Sequence, residues 1–136
     1  LIRFGFTIMV ATFMLIFLGI IANIALYRFE IMPMVLQVLF PITFLSALGF
    51  MLSTLIKNGN GTAISLVIVG IISFILYDAL DESVWNVFLN PFIEPQEMSE
   101  VIWTNIVFKN RVYLMIGSAL SILYGLFNLQ LREKFM

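Results

Sequence analysis

The sequence has no cysteine and no histidine among its 136 residues. Without cysteine there is no disulfide, no thiolate metal site and no thiol nucleophile. Without histidine the chain lacks the commonest general base, the usual haem ligand and the H-E-x-x-H zinc motif. Charge is scarce as well. Only 11% of residues are charged and 62% are hydrophobic, with a mean hydropathy of +1.08. A soluble domain has about a quarter charged and about half apolar residues, and a small chain needs a polar shell that these residues cannot supply. The net charge of −1 gives no basic footprint for nucleic acid. No P-loop, G-x-S-x-G or dinucleotide fingerprint occurs, so the chain has no ATPase chemistry of its own. The composition is that of an integral membrane protein.

What is present is long apolar runs. Residues 4–27, 31–56, 62–77 and 112–131 carry almost no charge, and the third run reaches Leu80 if Asp78 marks a boundary. Crossing roughly 30 Å of hydrocarbon takes about 20 helical residues, and none of the runs alternates as a strand would. The expectation is an all-α polytopic transmembrane bundle. Four spanning helices lie at about 4–28, 32–56, 62–80 and 111–132, with an outer interfacial or re-entrant helical hairpin at about 81–110. The third run is the short one. Arg28-Phe29-Glu30 and Lys57-Asn58-Gly59-Asn60-Gly61 are short turns, which make successive helices antiparallel. Arg3, Lys57, Arg132 and Lys134 then share one side against Arg28, Lys109 and Arg111, a bias that places both termini in the cytoplasm of a cell-membrane protein. Most acids fall on the other side.

Within the runs, Pro33 suits a first helical turn. Pro41 predicts a kink, either a static one or a hinge lining a path. Gly117, Ser121 and Gly125 fall on one helix face where another backbone can approach, within the chain or from a partner. Gly70, Ser73 and Tyr77 form a weaker face of the same kind, as do Ser46, Gly49 and Ser53. The intramembrane amides Asn23 and Gln37 suit bonds across helices, with substrate contact as the alternative. No span holds an acid or base near its middle, which argues against a proton relay in this chain alone.

The connection LNPFIEPQEMSEVIWTNIVFKNR, residues 89–111, holds several acids, two prolines and Trp103, and Trp85 lies just before it. Residues 82–90 and 98–108 have amphipathic spacing, and Asn90-Pro91 and Pro95 break it. Two short helices at the membrane surface follow from this, anchored by Trp85 and Trp103. Asn110-Arg111 would form a polar collar where the last helix enters. Asp78, Asp81 and Glu82 share a helix face and could hold a divalent metal for lipid or prenyl phosphate chemistry, or they could be a solvated helix end. As they stand they form no recognised motif, and no catalytic, cofactor or metal residue is assigned.

The order of these parts resembles the C-terminal portion of the membrane subunit of type-2 ABC exporters. The resemblance rests on LSALGFMLSTLIKNGNGTAISLVIVG, on LNPF, on W-x₆-NR from Trp103 to Asn110-Arg111, and on LMIGSALSILYGLFNLQLREKF. It covers about residues 35–136, and more loosely the first helix. It implies a transport permease rather than an enzyme, embedded among membrane lipids and driven by a separate nucleotide-binding subunit that carries ATP and Mg. It also implies a second permease protomer or half, and a piece or split half of a larger membrane domain, since that family has six helices per domain. Trp85, Pro91, Phe92, Trp103, Asn110 and Arg111 become candidates for an outer gate. The alternatives are the metal-dependent enzyme and a non-catalytic accessory subunit that docks through its small-residue faces.

Overall fold

A computed structural model describes residues 2–26 and 28–135; Leu1, Tyr27 and Met136 lie outside the described residues, including the last residue of the first apolar run. The chain is all-helical: α1 (Ile2–Ala25), α2 (Ile31–Ile56), α3 (Gly59–Ile75) and α4 (Glu100–Lys134), with a single 3₁₀ turn at Asp78–Leu80. Three of these, α1, α2 and α4, are long and apolar enough to cross a membrane, whereas α3 is a shorter apolar helix of 17 residues. The molecule is a membrane protein in composition and in architecture.

The helix ends follow local chemistry. The first helix ends at Ala25 rather than near residue 28, and the Asn23 amide donates to the Phe29 carbonyl as the chain turns. The second turn is tighter than its glycines suggest. Lys57, at φ 59°, takes the left-handed conformation, and Asn58 already caps α3 by accepting from the Asn60 N–H at 3.0 Å. Gly59 and Gly61 therefore sit in the first turn of α3, which starts at residue 59 instead of 62. It also stops at Ile75, short of the expected 80.

The helix α2 is the hub: each of the other three packs against it, most extensively α4. Four cross-links fix the relation of α2 to α4. Gln37 meets Arg111 and Thr54 meets Asn128 through hydrogen bonds. Phe44 lies against Gly117, and Phe50 lies against Gly125. Each pair advances in the same direction on both helices, so α2 and α4 run parallel. The two short turns make α1 and α3 antiparallel to α2. The two polar links are about 26 Å apart along α2 at 1.5 Å per residue, close to the roughly 30 Å of a hydrocarbon core. Between them the Phe44 and Phe50 rings lie against Gly117 and Gly125. Large side chains such as Phe13, Phe17, Phe74, Leu123 and Phe127 face outward on α1, α3 and α4, as lipid solvation allows and water would not.

Small residues make the α2–α4 approach possible. A Cβ on Gly117 would stand 2.8 Å from the Phe44 ring, and one on Gly125 would stand 2.7 Å from the Phe50 ring. Ser121 is buried between them. Gly49 receives Leu66 of α3 in the same way. Gly70 differs: no atom comes within 4 Å of where its Cβ would sit, so it brings no backbone close within the described residues. Ser73 near it is only half-buried. Pro41 is buried inside α2, which continues as one helix through it. Its missing N–H leaves the Gln37 carbonyl without the usual partner one turn back.

The long connection departs most from expectation. Residues 81–99 contain no α-helix. The chain advances instead through successive turns, with Ser83 N–H bonded to the Leu80 carbonyl, Asn86 N–H to Ser83 and Leu89 N–H to Asn86. The Ser83 hydroxyl accepts from Trp85 N–H, the Asn86 Oδ1 from Phe88 N–H and the Asn90 Oδ1 from Phe92 N–H. These side chains compete with helical bonding at the places where a helix would need continuity. The second expected surface helix is real but not separate. It is the start of α4, which runs unbroken for 35 residues past Asn110 and Arg111.

Candidate functional site

The connector folds back onto the N-terminal halves of α2 and α4, and three side chains of α4 hold it. Trp103 is buried, and its Nε1–H donates to the Pro91 carbonyl at 3.2 Å. Asn110 is 1% exposed and its Nδ2 donates to the carbonyls of Val84 and Asn86, each at 2.8 Å. Arg111 is 7% exposed. Its Nε donates to Gln37 Oε1 at 2.8 Å, its Nη1 to Asn110 Oδ1 at 3.2 Å and its Nη2 to the Leu89 carbonyl at 3.2 Å. The guanidinium also lies over the Phe40 ring, 5.5 Å from the centroid.

Helical spacing explains the convergence. Trp103, Asn110 and Leu114 recur at i, i+7 and i+11, one buried stripe of α4, and Arg111 adjoins it. The connector offers carbonyls because its turns leave them free of a helical ladder. A planar guanidinium spreads its N–H donors over three nitrogens and so binds α2, α4 and the connector together, whereas a lysine ammonium offers all its donors from one nitrogen. Every acceptor of Arg111 among the described residues is neutral. Taking the cation out of water costs several kcal/mol, and three charge-assisted hydrogen bonds and a ring face offset that cost.

The side chains singled out in the sequence thus separate into groups. Asn110, Arg111, Trp103 and Pro91 come together. Phe92 lines the cleft beside them, at its exposed edge. Trp85 is 72% exposed and stacks on Tyr113 of α4, with centroids 5.2 Å apart. Trp103 is no surface anchor, since it is buried under the connector, and the polar collar expected at Asn110-Arg111 is a buried clamp. Gln37 makes the cross-helix bond expected of an intramembrane amide, while Asn23 bonds only within its own turn. The residues not foreseen are Asn86, 1% exposed with its Nδ2 unpartnered among the described residues, and Phe40. The signal for Asn86 lay in the Ser83, Asn86, Asn90 series of turn-forming side chains.

Two clefts flank the clamp. One, of about 310 Å³, is lined by α2 and the connector and includes Arg111. The other, of about 370 Å³, has Tyr77, Asp81, Glu82 and Glu97 in its walls. Asp78, Asp81 and Glu82 are exposed. No three metal-binding side chains are grouped among the described residues. No family model matches the chain, and no curated protein or solved structure matches it either.

Proposed function

We propose that the chain is a membrane-spanning part of the permease of an ATP-driven exporter, powered by a separate ATPase subunit that binds ATP and Mg and paired with a second permease protomer or half. The observation that carries this reading is the union of LNPF with W-x₆-NR. These two short motifs carry the resemblance to type-2 ABC exporters, and they are hydrogen-bonded to one another at one end of the bundle through Trp103 to Pro91 and Arg111 to Leu89. A connector clamped to the start of a long helix suits a cap or gate on a path between protomers. The same helix ends in Arg132 and Lys134, as the family's basic tail does.

Burial of Arg111 sharpens the orientation. With that charge sequestered, Arg3, Lys57, Arg132 and Lys134 at one end face only Arg28 and Lys109 at the other, which favours both termini in the cytoplasm and the connector outside. The accessory-subunit reading has less to stand on, because Gly117, Ser121 and Gly125 are already occupied by α2. The enzyme reading lacks a grouped set of ligands.

The test is purification of the tagged protein from its native membrane in mild detergent. The expected outcome is co-purification of a P-loop ATPase subunit with Mg-dependent ATP hydrolysis. Repeated isolation without any nucleotide-binding partner, combined with no ATPase gene beside its own, overturns the proposal.

A further inference from the structure

Arg111 is a buried cation whose acceptors are all neutral, and three of its five N–H donors are used in those bonds. A charge so placed in a membrane protein attracts an anion. It lines a cleft whose other walls are mostly apolar, among them Met34, Val38, Pro41, Phe88 and Phe92. No carboxylate lines this cleft or accepts from Arg111 among the described residues, and Asp81, Glu82 and Glu97 line the neighbouring one. The height of the cleft matters too. Gln37 and Arg111 form one of the two polar links that stand about 26 Å apart, the spacing of the two edges of a hydrocarbon core. That spacing puts the guanidinium at the edge of the hydrocarbon core, within reach of lipid phosphates.

From these features we infer that the cleft beside Arg111 is a binding site for an anionic membrane lipid, with its phosphate on the guanidinium and its glycerol and upper acyl segment against Met34, Val38, Pro41 and Phe92. The single cation selects for net negative charge in the head group. The apolar walls select for a lipid over a free anion, which would lose its hydration there with little in return. The site does not depend on the exporter reading, only on the chain lying in a membrane.

The experiment is native mass spectrometry of the purified protein after exchange into micelles doped with either phosphatidylglycerol or phosphatidylcholine, with inorganic phosphate in a third arm. The wild type should retain phosphatidylglycerol about tenfold over phosphatidylcholine, the scale of one charge-assisted contact. Phe92→Asp places a carboxylate at the cleft edge without touching the clamp bonds. It should bring phosphatidylglycerol retention down to the phosphatidylcholine level while helix content and melting are unchanged. Arg111→Gln should also lose the preference, but it loosens the connector, so Phe92→Asp is the variant that decides. Equal retention of both lipids by the wild type overturns the site. So does a preference that survives Phe92→Asp, which would place the lipid elsewhere. Inorganic phosphate that displaces phosphatidylglycerol and protects the protein equally from unfolding would show a free-anion site instead.

Discussion

Asn110 has the most demanding position of any single residue. It donates to two connector carbonyls and accepts from Arg111, and it is almost fully buried while doing so. Alanine there leaves the Val84 carbonyl and one guanidinium N–H without a partner and takes one of two donors from the Asn86 carbonyl, at a cost of about 3 kcal/mol. Asn23→Ala is the natural comparison, because Asn23 serves only its own turn and its loss should cost about 1 kcal/mol. Equilibrium unfolding in mixed micelles with increasing dodecyl sulfate measures both. Equal costs for the two variants would mean that the connector is not held by this clamp. The sequence pointed to Asn110-Arg111 as a special pair but misjudged its setting. What buries the pair is Gln37 on a distant helix and the carbonyls of Val84, Asn86 and Leu89, and backbone carbonyls leave no trace in residue types.

At the scale of elements, the small residues of α4 divide cleanly from those of α3. A Cβ at Gly125 stands 2.7 Å from the Phe50 ring, which must shift, and 3.5 Å from the Met51 backbone, so the further atoms of a leucine have little room against α2. Gly125→Leu should therefore destabilise the bundle by about 2–3 kcal/mol, read by the same unfolding titration, whereas Gly70→Leu should change stability by less than about 0.5 kcal/mol. The helices themselves were legible, because lipid demands long uncharged runs and nothing else in a chain produces them. The Gly117, Ser121, Gly125 stripe was visible by spacing alone, yet spacing could not tell it from the Gly70 stripe. That distinction depends on which face α2 occupies. The connector was misread as helical since its apolar spacing fits a helix, while Ser83, Asn86 and Asn90 offer the backbone a local alternative at each turn. The unbroken start of α4 could have been foreseen, because no Pro or Gly lies between Glu100 and Arg111.

For the whole molecule, the question is whether a helix of 17 residues crosses a membrane. Its length is about 26 Å, equal to the distance between the two polar links that join α2 to α4. The parallel course of α2 and α4 also requires it. The chain leaves α2 at Lys57, near the Thr54–Asn128 link, and must return to the Gln37–Arg111 end before α4 can begin. Only α3 and the turns after it make that journey. Because the natural chain has no cysteine, single substitutions report on this without background. Asn60→Cys, Gln96→Cys and Lys134→Cys all fall on exposed positions outside the packed contacts. In sealed vesicles of one orientation, a membrane-impermeant maleimide should reach positions 60 and 134 from the same face and position 96 only from the opposite one. Labelling of 60 and 96 from the same face would mean that α3 does not cross, and the parallel pairing of α2 with α4 would then have no membrane geometry to support it.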